Sequence, residues 1–190
     1  LHLGTGEGDY DSLIVESCSK LTACDINEED IQFARHRNSK YKKLEYKIED
    51  ALSLTFPDNA FDLIISIDVI EHVGQPEIML SEMARVMNDN ALAIITYPQA
   101  NYPWTYDPLN KILSKYTSKN ISLGAYGYGH DYLIEDDQFR SWANKNGFKI
   151  LEESKLSSYL VGLIEMYWPG VIQRYLKHNS SNLSGSKSKK

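Results

Sequence analysis

Apolar and polar positions alternate in blocks along the first half of the chain. The apolar blocks predict five short strands, at Leu1–Leu3, Leu21–Cys24, Leu44–Ile48, Phe61–Ile67 and Ala91–Tyr97. The last two blocks are almost wholly apolar, which is typical of strands buried on both faces of a parallel sheet. We therefore expect these two strands to be covered by helices on each side.

Helices are predicted between the strands, at Tyr10–Ser17, Glu28–Arg37 and Glu77–Met87. Asn27 is the predicted N-cap of the second helix, and Ile31 and Ala34 are expected to face inward. Apolar strands that alternate with helices indicate an α/β fold. We predict a doubly wound, mostly parallel, Rossmann-like sheet with helices on both faces.

The alternation is interrupted after the fifth strand. Residues 98–131 are rich in tyrosine and also contain Trp104 and three glycines, and they predict an insertion that acts as a lid or binding loop. A helix at Asp136–Asn146, ended by Gly147, and a strand at Phe148–Glu152 are predicted after it.

The C-terminal part has two different patterns. Residues 160–176 carry an apolar helical face, with a kink expected at Pro169. Residues 177–190 are polar and lysine-rich, and we expect them to be disordered. The predicted domain therefore runs from residue 1 to residue 176.

Charge and cysteine content restrict the possible partners and compartment. The 190 residues include 26 Asp and Glu against 20 Lys and Arg, a net charge of −6. Four of the lysines lie in residues 177–190, so the body is more acidic still and nucleic acid is not an expected partner. Two cysteines and no apolar run of about 20 residues favour a cytoplasmic protein. Because the chain starts with Leu1 inside a predicted strand, we expect an N-terminally truncated chain.

The first residues carry a candidate ligand site. Leu-His-Leu-Gly-Thr-Gly-Glu-Gly places Gly4, Gly6 and Gly8 between a strand and a helix, where backbone can approach an anionic ligand closely. Asp25 lies 21 residues beyond Gly4, at the end of the next strand. Doubly wound folds place there an acid that binds ribose hydroxyls. A plain glycine loop and a solvated turn aspartate are the alternatives.

Acidic residues also follow the third and fourth predicted strands. Asp50 comes after Leu44–Ile48, and Asp68 comes directly after Phe61–Ile67. Open parallel sheets bind ligands at the carboxyl ends of their strands. We therefore expect these acids to lie near the glycine turn, with Asp50 able to accept a hydrogen bond from an exocyclic amine.

Five segments in order resemble class I S-adenosylmethionine-dependent methyltransferases, specifically the group of quinone and small-molecule methyltransferases. The segments are LHLGTGEG, TACD, IEDALSLTFPDNAFD, IDVIEHV and GHDYLIEDDQFRSWANKNGFKILE, and the similarity spans residues 1–152. The resemblance implies S-adenosylmethionine as cofactor and methyl transfer to a small-molecule or lipid-like acceptor. We predict no metal site.

The resemblance also implies roles for individual residues. At the methionine end of the cofactor it places the three glycines and two residues that face the substrate: Gly4, Gly6, Gly8, Asp68 and Val69. At the adenosine end it implies a ribose ligand and three adenine contacts: Asp25, Ile26, Asp50 and the backbone of Ala51. His2 departs from the pattern, because the family usually has an acid there that helps place the amino end of the cofactor.

Methyl transfer to a hydroxyl group benefits from a general base. His72 and His130 are the candidates, because histidine titrates near neutral pH. A structural or helix-capping role is the alternative for His72.

Three questions stay open at the level of the sequence. The apolar face over 160–176 fits packing against its own domain, a homodimer contact, or peripheral contact with a membrane surface. A non-catalytic methyltransferase-like binding module is an alternative function. An NAD(P)-dependent oxidoreductase is another alternative, although the glycine spacing disfavours it.

Overall fold

The computed structural model describes residues 1–100, 113, 116 and 134–154. Five parallel strands form one sheet in the order β3-β2-β1-β4-β5. The strands are β1 (His2–Leu3), β2 (Leu21–Asp25), β3 (Leu44–Ile48), β4 (Phe61–Ile67) and β5 (Met87–Thr96). The β1 strand lies in the middle of the sheet, and the strand order reverses between β1 and β4. Ligands of open α/β sheets bind beside such a reversal.

Helices flank this sheet, and the predicted α/β fold class is confirmed. They are α1 (Asp11–Ile14), continued by a 3₁₀ turn at Val15–Ser17, then α2 (Glu28–Arg37), α3 (Pro76–Val86) and α4 (Asp136–Lys145). The bounds of α2 are those predicted. The Asn27 side chain caps this helix, accepting hydrogen bonds from the amides of Glu29 and Asp30 at 2.9 and 3.4 Å.

The core lies on the two faces of the sheet. On one face, Ile31 and Ala34 of α2 pack with Ala23 of β2 and Tyr46 of β3, and all four side chains are buried. The α3 helix buries its own apolar face, through Met79, Leu80, Met83 and Val86. The buried positions of α2 are those that the periodicity of the sequence predicts, whereas on α3 Ile78, which has the same helical spacing, is exposed.

Three sequence predictions about the strands are wrong in detail. In β4 only Ile64 and Ser66 are buried, and the remaining apolar side chains are half-buried. The β5 strand starts at Met87, not Ala91, and Leu92 and Ile94 on it are about half exposed. The start differs because Met87 pairs with Phe61 through an irregular register, which lets polar residues extend the strand.

The predicted strand at Phe148–Glu152 is also not formed. Gly147 ends α4 with φ of +81°, and the amide of Phe148 donates back to the carbonyl of Ala143 at 3.0 Å. Leu151 is exposed, and no described strand pairs with this segment. Alternation alone does not make a strand when no neighbouring strand is in register with it.

Leu1–Pro98 and Asp137–Ile150 form one compact unit, and the described residues of Gln99–Asp136 and Leu151–Lys190 belong to a second. In the second unit, the amide of Ala100 donates to the carbonyl of Ile134 at 2.8 Å.

Most of the predicted insertion over 98–131 lies outside the described residues, as do the predicted helix over 160–176 and the tail over 177–190. Within the part that is described, no helix has both the length and the apolar character needed to cross a bilayer.

Candidate functional site

A cavity of about 710 Å³ lies at the carboxyl ends of β1, β2, β3 and β4. It brings together eight of the nine predicted cofactor-binding residues, together with His72. The eight are Gly4, Gly6, Asp25, Ile26, Asp50, Ala51, Asp68 and Val69. Gly8 does not line the cavity, and His130 lies outside the described residues.

Asp25 ties the glycine turn to the second strand. One of its carboxylate oxygens accepts from the amide of Gly6 at 2.8 Å, and the other accepts from the amide of Asn27 at 3.0 Å. The amide of Gly4 also donates to the carbonyl of Cys24, at 2.8 Å. Each carboxylate oxygen has a further lone pair, so Asp25 can still accept from the two hydroxyls of a ribose.

Gly4 and Gly6 are needed for different reasons. Gly4 has φ of +77°, and a Cβ there would overlap Cγ2 of Val69. The close approach of Val69 therefore excludes a side chain at Gly4. Gly6 has φ of +53°, and a Cβ there would have no neighbour within 4 Å. Its missing side chain leaves room for a ligand to approach the turn.

Gly8 lies behind the turn, against the inner layer of the fold. Its carbonyl accepts from Nδ2 of Asn38 at 2.9 Å. The same Nδ2 donates to the hydroxyl of Tyr46 at 2.8 Å. The structure thus places Gly8 where it anchors the turn to α2 and β3.

A buried polar cluster lies under the glycine turn and centres on Asp11. One Asp11 oxygen lies 2.6 Å from Nδ1 of His2. The other accepts from the hydroxyls of Thr5 and Tyr46, each at 2.7 Å. Burial acts to raise the pKa of Asp11, but these three hydrogen bonds outweigh it and lower that pKa below its ordinary value. Burial, with the nearby Asp11 charge, raises the pKa of Tyr46.

Sequence reasoning missed Asp11 and Tyr46. Asp11 resembles an ordinary acid in the first turn of a helix, and Tyr46 resembles an ordinary strand residue. They are 35 positions apart, and no pattern in the sequence pairs them.

His2 connects this cluster to the cavity. The residue is only 1% exposed, yet it forms part of the cavity wall. Its Nε2 atom is buried and has no hydrogen-bond partner in the described part of the chain. A buried polar atom of this kind costs free energy unless a ligand pairs with it.

The segment after β3 forms the opposite wall. Asp50 accepts a hydrogen bond from the amide of Leu52 at 2.8 Å, which holds the carboxylate at the cavity beside Ala51. Ile26, on the β2 side, is 67% exposed although it is large and apolar. An exposed apolar side chain beside acceptors suits the flat face and the amino edge of a purine.

The segment after β4 supplies the remaining wall. Asp68 has φ of +52°, a left-handed conformation that is unusual for a residue other than glycine. The Thr96 hydroxyl donates to its carboxylate at 2.9 Å. Glu71 is fully buried, and burial raises its pKa to about 7, with the charge of Asp68 adding to the effect. The His72 side chain is 40% exposed, and its Nε2 lies 4.0 Å from Oε1 of Glu71.

Comparison with known proteins identifies the family of the chain. Residues 1–95, half of the chain, match the family described as methyltransferase domain. The chain is 26% identical over 174 residues to a demethylmenaquinone methyltransferase of Clavibacter sepedonicus, covering 86% of this chain and 70% of that protein. It is 21% identical over 154 residues to a ubiquinone biosynthesis O-methyltransferase of Coxiella burnetii, covering 80% and 64%.

Among solved structures, the fold matches an S-adenosylmethionine-dependent methyltransferase of Aquifex aeolicus. The TM-score is 0.60 with 18% identity, and the match covers 80% of this chain and 72% of the other. The fold and the site at the strand ends define a class I, Rossmann-like methyltransferase fold. The chain belongs to the family of S-adenosylmethionine-dependent methyltransferases.

The cavity suits the cofactor of this family, which carries a positive sulfonium and a positive ammonium group. Carboxylates line the cavity, whereas no Lys or Arg is among its described lining residues. The acidic side chains are those of Glu7, Asp9, Asp25, Asp30, Glu49, Asp50 and Asp68. The open space beside Gly6 and the unpaired Nε2 of His2 are further points where a ligand fits.

Proposed function

We propose that this chain binds S-adenosylmethionine in the 710 Å³ cavity and transfers its methyl group to a small-molecule acceptor. The observation that carries the proposal is the convergence of the glycine turn, Asp25 and Asp50 on one cavity. In this arrangement Asp25 binds the ribose hydroxyls, and Ile26 and Asp50 bind the adenine. The wall formed by Gly4, Asp68 and Val69 faces the methionine end, and Gly6 leaves space for it.

The acceptor is proposed to be lipid-like or aromatic. The quinone-related names of the two relatives support this choice. Bound S-adenosylmethionine supplies an electrophilic methyl group, so the protein mainly has to align the acceptor in line with it. For a hydroxyl acceptor, His72 is the proposed general base, because it lines the cavity and is partly exposed.

The cofactor part of the proposal is tested by calorimetric titration with S-adenosylmethionine. The Asp25→Asn variant loses one charge and one acceptor oxygen, so we expect its affinity to fall by about tenfold or more. Glu29→Gln is the matched control, because it removes the same charge from an exposed residue that does not line the cavity. Equal affinities for Asp25→Asn and wild type would contradict the ribose role.

The transfer step is tested by supplying isotopically labelled methyl donor with quinols, phenols and amines. We expect labelled product with a phenolic or quinol acceptor, and a drop in its formation in His72→Ala at unchanged cofactor affinity. Turnover that is unchanged in His72→Ala would remove His72 as the base. Cofactor binding without any transfer would favour the non-catalytic alternative.

A further inference from the structure

Asp68 is the residue at which the chain leaves the sheet and enters the cavity wall. Ile67 pairs with Thr96 as the last matched residues of β4 and β5, and Asp68 follows with φ of +52°. A side chain disfavours this left-handed conformation, and residues other than glycine keep it where the surrounding contacts enforce it. The contacts around Asp68 therefore identify what holds this part of the wall.

Thr96 makes these contacts from the end of the neighbouring strand. The amide of Asp68 donates to both the carbonyl and the hydroxyl of Thr96, at 3.2 and 3.1 Å. The same hydroxyl donates to a carboxylate oxygen of Asp68 at 2.9 Å. One hydroxyl thus accepts from the backbone and donates to the side chain, which fixes the two together. Asp68 lines the cavity, whereas Thr96 does not.

Val69, the next residue of the wall, is held by the glycine turn. Its side chain lies so close to Gly4 that a Cβ there would overlap it. Its carbonyl accepts from the amide of His72 at 2.9 Å, which turns the chain after the wall. Residues 68 and 69 are therefore fixed between Thr96 at the end of β5 and the turn that follows β1.

We infer that Thr96 is a positioning residue, whose hydroxyl holds Asp68 in the conformation that shapes the methionine end of the cofactor site. This inference rests on the proposed function, in which the wall of Gly4, Asp68 and Val69 faces that end. Without the hydroxyl, Asp68 loses one acceptor for its amide and one donor to its carboxylate. The strained conformation then lacks contacts that offset its cost, so the wall relaxes away from the ligand. The adenosine end is lined by the segments after β2 and β3 and should not change.

Two ligands that share the adenosine end test the inference. S-adenosylhomocysteine and 5′-methylthioadenosine carry the same thioadenosine group, but only the first carries the amino-acid chain. Thr96→Val keeps the size and branching of the side chain and removes the hydroxyl. Calorimetric titration of this variant should show affinity for S-adenosylhomocysteine reduced about threefold to tenfold, as for lost hydrogen bonds. Affinity for 5′-methylthioadenosine should change by less than about twofold. Thr96→Ser keeps the hydroxyl and should restore the wild-type ratio of the two affinities.

Thr22→Val is the matched control, because Thr22 is a strand threonine that does not line the cavity. It should leave the ratio of the two affinities unchanged. Thr96→Cys is the second variant if Thr96→Val does not fold. A thiol is a weaker donor and acceptor than a hydroxyl, so Thr96→Cys should change the ratio in the same direction.

Equal losses for the two ligands in folded Thr96→Val, or no loss for either, would overturn the role of Thr96 while leaving cofactor binding intact. A ratio in Thr96→Ser as low as that in Thr96→Val would also overturn it, because the hydroxyl would then not be the group that matters. If neither ligand binds the folded wild-type chain, the proposed function fails and this inference fails with it.

Discussion

Gly4 and Gly6 share a left-handed backbone conformation but have different surroundings, which gives them separable effects when substituted. Gly4→Ala places a Cβ against Val69, and we expect the free energy of unfolding to fall by about 2 kcal/mol or more. Gly6→Ala meets no protein atom within 4 Å, so the loss should be about 1–2 kcal/mol, from backbone strain alone.

Cofactor affinity separates the two variants further. The Cβ of Gly6→Ala projects into space that the cofactor is proposed to occupy. We therefore expect Gly6→Ala to lose more cofactor affinity than its small loss of unfolding free energy would cause. Denaturant unfolding and calorimetric titration of both variants check this. A larger loss of stability in Gly6→Ala than in Gly4→Ala would contradict the view that Val69 crowds Gly4 and that Gly6 faces open space.

Glu71 makes stability depend on pH. Burial raises its folded pKa to about 7, whereas a carboxyl in the unfolded chain titrates near 4.3. The folded chain therefore holds a proton that the unfolded chain has lost, and stability falls as the pH rises through this window, by up to about 3 kcal/mol. Glu71→Gln should flatten the fall between about pH 4.5 and 7, whereas Glu29→Gln should not. Parallel curves for Glu71→Gln and wild type would contradict the raised pKa.

At the scale of elements, Arg85 of α3 holds the segment that carries Asp50. Its guanidinium donates to the carbonyls of Leu54 and Phe56, each at 2.8 Å, and to the carboxylates of Asp58 and Glu82 at 2.8–2.9 Å. A lysine has one nitrogen and cannot make this set of bonds.

Arg85→Lys should therefore loosen residues 50–58. We expect faster amide hydrogen exchange there, a lower melting temperature and weaker cofactor binding. Arg37→Lys is the control, since the ion pair of Arg37 with Asp9 is exposed and lies outside residues 50–58. Unchanged exchange in residues 50–58 of Arg85→Lys would show that other contacts hold the segment.

The sequence predicts elements well where the signals are local. The cap residue and apolar spacing of α2 lie within the helix itself, and the bounds of α2 and β3 are those predicted. The start of β5 depends on pairing with β4, and the absence of a strand at 148–152 depends on the lack of a paired neighbour. The glycine turn and its acids follow a spacing that the sequence shows. The contact of His2 with Asp11 depends on packing, which the sequence does not show.

At the scale of the whole molecule, the negative charge gives the site a preference for cationic ligands. The net charge is −6, and the described cavity wall is acidic without Lys or Arg. Such a field attracts cations, and salt screens it over about 10 Å at 0.1 M ionic strength. S-adenosylmethionine carries one positive charge more than S-adenosylhomocysteine, so the field should favour the methyl donor over the product.

The ratio of the two affinities should therefore depend on salt. At low ionic strength we expect the affinity for S-adenosylmethionine to rise severalfold relative to that for S-adenosylhomocysteine. This change should shrink as sodium chloride is raised, because the methyl group of the donor adds one positive charge at the sulfur. Glu7→Gln should reduce this change in the affinity ratio, since Glu7 lines the cavity and is exposed. Glu29→Gln should reduce it less, since Glu29 does not line the cavity. A ratio that stays constant with salt would mean that contacts close to the sulfur atom, rather than the charge of the cavity, distinguish the methyl donor from its product.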